Sequence, residues 1–144
     1  MKPRRKFQDV DPDALKPMLA LEKYLSTTQL SVRHKDLIKI RTSQLNGCSY
    51  CVDKHTEEAR ANGETERRLY NLTSWNETPF FTEDEQAILA LTEQVTFITN
   101  RVSDEVYDRA VKLLGEKYVT QAMMAIVTMN AWNRIGVTTN LWPS

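Results

Sequence analysis

An all-helical fold is predicted by three features of the chain. Only four glycines and five prolines punctuate its 144 residues. Long stretches repeat their apolar residues at helical spacing instead of alternating them as a strand does, and helix start and stop signals divide these stretches. The expected architecture is a bundle of about six to seven helices, with residues 1–11 as an N-terminal arm and residues 12–144 as the domain. Phe7 and Val10 are the arm residues expected to lie on the body.

Pro17 opens the first helix, because proline is tolerated in a first turn. That helix carries Met18, Leu19, Leu21, Tyr24 and Leu25 and stops near Ser26-Thr27-Thr28. A second begins after Ser31 and runs through Leu37, Ile38, Ile40, Arg41 and Leu45 to the Asn46-Gly47 break. The third opens at about Cys48 and ends at the capping pair Asn62-Gly63. These two helices form a hairpin with the cysteines at its elbow. A short helix from Thr65 to Leu72 leads into a loop over residues 73–81. Thr82 and Glu85 then make a capping box that starts a helix to about Ile98. Ser103 caps the next, which reaches Leu114-Gly115, and Glu116 or Lys117 begins the last, which continues through Met123, Met124, Ile126, Val127, Met129 and Trp132 to about Ile135. This last helix is apolar on more than one face, which predicts burial partly in the core and partly at a subunit interface. Its methionines read as core filler.

The length suits one domain with a core that needs no disulfide staple. Nineteen basic and nineteen acidic residues cancel, which argues against nucleic acid or an anionic membrane as partner. No apolar run approaches the roughly 20 residues that span a bilayer. Met1 to Lys6 is basic but is followed by Asp9-Val10-Asp11 instead of an apolar signal core. A cytoplasmic protein is expected, and in that reducing compartment a close cysteine pair is more plausibly catalytic or redox-cycling than permanently bridged.

The segment Cys48-Ser49-Tyr50-Cys51-Val52-Asp53-Lys54-His55 holds both cysteines and one of the two histidines. On a helix Cys48 and Cys51 stand three apart and Cys51 and His55 four apart, so all three share a face. The first turn of a helix exposes unpaired N–H groups and the positive end of the dipole, both of which stabilise a thiolate. Long side chains lean toward the helix N-terminus, which aims His55 over Cys51 more than over Cys48. Cys51 and His55 therefore read as nucleophile and base, although Cys48 has the stronger dipole effect and spacing alone does not decide which sulfur attacks first. Competing readings are a structural disulfide, a zinc site completed by His34 or Asp36, and small residues buried for packing. Covalent haem attachment drops out because the histidine comes four residues after the second cysteine.

The run Asp36-Leu37-Ile38-Lys39-Ile40-Arg41-Thr42-Ser43-Gln44-Leu45-Asn46-Gly47 into the cysteine motif resembles the carboxymuconolactone decarboxylase-like proteins, and among them the alkylhydroperoxidase D-like branch. Residues 75–82 and Asn130-Ala131-Trp132-Asn133-Arg134 extend the resemblance over roughly residues 12–138. It implies an all-helical fold, homo-oligomers such as trimers or hexamers, and a cofactor-free thiol peroxidase. By position it implies that Cys51 attacks the peroxide, Cys48 resolves, His55 relays the proton and Asp36 supplies a carboxylate to the relay. Two positions depart from the family pattern: Asp36 stands where a glutamate is usual, and Tyr50 where a histidine lies between the cysteines. Tyrosine titrates near pH 10 and is no neutral-pH base.

The expected activity is reduction of a hydroperoxide, with an external dithiol to reset the cysteine pair. The rival readings are a lactone decarboxylase, whose chemistry does not use a cysteine pair, and a non-catalytic oligomer whose cysteines bind zinc or sense oxidant.

Overall fold

Ser31, Thr65, Thr82 and Ser103 each accept, through the side-chain oxygen, the backbone N–H three residues on, and each begins a helix. At Thr82 the capping box is complete, because Glu85 also accepts the N–H of Thr82 at 2.8 Å. The computed structural model, which describes all 144 residues, contains eight α-helices and no strand. They are α1 (Phe7–Val10), α2 (Leu15–Ser26), α3 (Val32–Leu45), α4 (Ser49–Ala61), α5 (Glu66–Asn71), α6 (Glu83–Thr96), α7 (Asp104–Leu114) and α8 (Glu116–Thr138).

Helix α3 packs against α4, α6 and α8, while α8 also receives α2, α6 and α7. The core accordingly divides in two around α3. Ile38 joins Leu25, Ile88, Val119 and Ile126 on one side, and Leu37 and Ile40 join Leu69, Leu72, Trp75 and Leu89 on the other. A helix buried on both sides cannot carry a single apolar stripe. In α8 one side supplies Val119, Ala122, Ile126 and Met129 to the interior, while Met123 and Val127 remain exposed.

Four boundaries differ from the sequence expectation. Helix α2 starts two residues before Pro17, which occupies the third helical position, where no intrahelical N–H bond is lost. The segment expected as a loop contains a 3₁₀ turn, Leu72–Glu77, kinked at Ser74 and anchored by the Trp75 indole donating to Glu93 at 2.9 Å. Helix α8 continues past Ile135 to Thr138. Residues 1–11 hold one helical turn of their own and lie against the body: the Arg4 N–H donates to the Thr139 carbonyl at 2.9 Å, and Phe7 meets the Trp132 ring edge-on, whereas Val10, also expected on the body, is exposed. No helix is long and apolar enough to cross a membrane.

Candidate functional site

Helix α3 ends in a reversal that sets the position of the cysteines. The Gly47 N–H donates to the Gln44 carbonyl at 3.2 Å and the Cys48 N–H to that of Ser43 at 3.0 Å, the paired bonds of a Schellman cap. Gly47 has φ +66°, where a side chain would be strained. Cys48 thereby becomes the N-cap of α4, and Cys51 falls in its first turn. The two are joined as a disulfide with Cα atoms 5.3 Å apart. Both thus belong to the N-terminal turn of α4, where the N–H groups lack intrahelical partners.

Helix α8 closes the site from behind. A Cβ on Gly136 would stand 3.0 Å from Cys48 Sγ and 3.7 Å from Cys51 Sγ, so glycine is what lets the two helices approach this closely. Side-chain amides fix that approach. Asn46 donates to Asn130 at 2.9 Å and to Asn133 at 3.0 Å, and the fully buried Asn133 donates to Ser43 Oγ at 3.0 Å.

Cys48 is 1% exposed and Cys51 5%, and only Cys51 lines the cavity that opens in front of the motif. This cavity, of about 680 Å³, is also lined by His55, Tyr50, Lys39 and Trp132. Phe7 of the arm and Trp142 near the C-terminus also line it.

His55 is buried, and its Nδ1 lies 2.8 Å from Glu58 Oε2. Burial lowers the imidazole's pKa below its ordinary value; the hydrogen bond and charge of Glu58 oppose this, and Lys39 and Lys54 add to it. Burial would raise Glu58, but the hydrogen bond from His55 and the charges of His55, Lys39 and Lys54 outweigh it, so its pKa falls. An ionised carboxylate only accepts, so neutral His55 carries its proton on Nδ1 and keeps the Nε2 lone pair free as a base.

Asp36 was expected as the carboxylate of this relay. The structure gives its direct hydrogen bond to Asn62 Nδ2 instead, at 2.9 Å, and the carboxylate bonded to His55 is that of Glu58. The Asn62 bond belongs to the capped turn ending α4, where the Gly63 N–H meets the Arg60 carbonyl at 3.0 Å. Burial raises the Asp36 pKa, against the Asn62 hydrogen bond and Lys39, and the charges of Glu58 and His55 also act on it. Asp36 thus acts on the pair only through its charge and makes no hydrogen bond to His55. His34 lies elsewhere, its Nδ1 2.6 Å from the Tyr118 hydroxyl, and no three His, Cys, Asp or Glu side chains group as a metal site.

Sequence reasoning missed Glu58, Gly136 and Lys39 as parts of the site. The i, i+3 spacing of His55 and Glu58 on one helix was a usable signal for the first. Nothing local signals the other two, because both act across a helix packing.

The chain resembles known proteins along most of its length. The model of the carboxymuconolactone decarboxylase family matches residues 12–94. The uncharacterized protein YdfG of Bacillus subtilis is 40% identical over 138 residues, which cover 95% of this chain and 94% of that protein. A crystal structure from Agrobacterium tumefaciens, of a protein of unknown function provisionally ascribed to antioxidant defence as AhpD, superposes with a TM-score of 0.95 at 33% identity over 99% of both chains. An uncharacterized peroxidase-related protein of Ralstonia eutropha, described as an alkylhydroperoxidase AhpD core, shares the fold with a TM-score of 0.81 at 18% identity, over 95% of this chain and 74% of that one.

Proposed function

Because this chain belongs to the carboxymuconolactone decarboxylase family, whose model spans residues 12–94, we propose that it is a thiol peroxidase of the alkylhydroperoxidase kind. The observation that carries this reading is a cysteine pair at a helix start whose outer member, Cys51, shares a cavity with a buried imidazole held by a carboxylate. His55 Nε2 takes the Cys51 proton, and the thiolate attacks the nearer peroxide oxygen. The S–O bond forms as the O–O bond breaks, sulfur loses two electrons, and the proton on His55 passes to the leaving alkoxide, giving an alcohol or water and a sulfenic acid. Cys48 then attacks Cys51 Sγ, water leaves, and the disulfide seen here results. An external dithiol resets the pair by exchange and is itself oxidised.

Cytoplasmic placement follows from that dependence on a dithiol. A homo-oligomer joined through the α8 face that exposes Met123 and Val127 accords with the family resemblance.

The cysteine variants test the assignment. Cys51→Ser abolishes hydroperoxide consumption, whereas Cys48→Ser completes one turnover and stalls as a sulfenic acid that a dimedone adduct reveals by mass. Full steady-state activity in Cys51→Ser contradicts the reading. The family's namesake chemistry is separated by alkylating both thiols, which leaves a lactone decarboxylase active.

A further inference from the structure

The cavity in front of Cys51 is larger than hydrogen peroxide needs. A water-sized molecule accounts for about 30 Å³, against about 680 Å³ here. Volumes of roughly 300–1,000 Å³ suit organic ligands. Much of the wall is apolar or aromatic: Phe7, Leu19, Met129, Trp132, Ile135 and Trp142.

The charged part of the wall is uneven. Lys6, Lys39 and Lys54 face Glu22 and Glu58, and both carboxylates are already engaged. Glu22 accepts the Trp132 indole N–H at 2.9 Å, and Glu58 holds His55 with Lys54 3.9 Å away. Lys39, partly buried on α3, forms none of the chain's ion pairs, whose Lys/Arg partners are Lys16, Lys54, Arg33, Arg41, Arg60 and Arg68. It also lines a second cavity of about 150 Å³ that shares Glu22 and Met129 with the first and has Lys35 in its wall. Lys39 therefore lines both cavities, a partly buried lysine outside the chain's ion pairs that an anionic ligand would pair.

We propose that the site takes an amphipathic organic hydroperoxide with an apolar body and a terminal carboxylate, of the fatty-acid hydroperoxide class, and that Lys39 binds the carboxylate while the peroxide group meets Cys51. This rests on the peroxidase reading and specifies its substrate.

The test measures the second-order rate constant of thiol loss in prereduced protein, using an unsaturated fatty-acid hydroperoxide and its methyl ester below their micelle concentrations. The acid reacts at least about tenfold faster than the ester, the scale of one charge-assisted hydrogen bond. Lys39→Met brings the ratio to about one and Lys39→Arg restores it, while Lys112→Met, on the exposed surface of α7, keeps it. Equal rates in the unaltered protein overturn the proposal. So does a ratio that survives Lys39→Met, since a lysine that only stabilised the Cys51 thiolate would slow both substrates alike. Binding of the parent fatty acid, read through Trp132 and Trp142 fluorescence, separates this claim from the peroxidase reading. Binding weakened by Lys39→Met without any turnover supports the ligand class and rejects the peroxidase; no binding rejects the ligand class.

Discussion

In the proposed reaction His55 is the base, and its neighbours act on it in opposite directions. Burial keeps it neutral, and Glu58 fixes which nitrogen carries the proton. The sign of the pH dependence follows. The base form exists above the His55 pKa, which lies below the ordinary histidine value, so the rate rises with pH through that lowered pKa and is already maximal in His55 at neutrality. Glu58→Gln removes both the raising charge and the ionic acceptor. The acid limb of the rate profile is then expected at lower pH, and the plateau to fall by about ten- to a hundredfold, part of the roughly 10²–10⁴ that a positioned acid–base group contributes. A stopped-flow pH profile of hydroperoxide-dependent thiol loss reads both; an unmoved limb with an unchanged plateau contradicts the role given to Glu58. Asp36, on Asn62, shows why a carboxylate assigned by position in the chain did not coincide with the one that bonds the imidazole. Asp36 accepts from Asn62, the cap residue of α4, a partner set by the packing of α3 on α4 and not by chain position.

At the scale of elements, much of the fold was legible because its signals are local. Ser31, Thr65, Thr82 and Ser103 start the helices they were read to start, and Asn46-Gly47 and Asn62-Gly63 end theirs. What was not legible depends on packing between helices. Gly136 looks like a reason for α8 to stop, yet the helix runs through it to Thr138, and a Cβ there would crowd the Cys48–Cys51 disulfide. That contact makes a redox prediction. In Gly136→Ala the new Cβ meets Cys48 Sγ at 3.0 Å while the disulfide prevents the sulfur from turning away. Overpacking costs about 1–3 kcal/mol, more than the helix propensity gained, about 0.8–1.0 kcal/mol. In the dithiol form the Cys48 side chain can rotate and the propensity gain prevails. The thermal midpoint is expected to fall for the oxidised protein and hold or rise for the reduced one, with the dithiothreitol equilibrium displaced toward the dithiol. Equal shifts in both forms contradict this account.

Across the whole molecule, two helices carry the architecture and the site together. Helix α3 separates the two cores and delivers Lys39 and the reversal into Cys48. Helix α8 supplies Gly136, Trp132 and the asparagines that bind the reversal. The arm and the C-terminal residues complete the cavity by meeting each other, through Arg4 with Thr139 and Asn140 with the Lys2 carbonyl at 2.9 Å. Contacts between the first and last residues of a chain leave no pattern in either segment, so the cavity could not be foreseen, although the cysteine motif at its floor could. The proposed function asks one thing of this arrangement, reversible oxidation of two sulfurs by a peroxide. The most direct test is to titrate prereduced protein at neutral pH with an organic hydroperoxide and count thiols against hydroperoxide consumed, mapping the product by mass. The account predicts two thiols lost per hydroperoxide and a Cys48–Cys51 disulfide within one chain. Thiols that persist through an excess of hydroperoxide, or oxidation that leaves this pair unbridged, would contradict it.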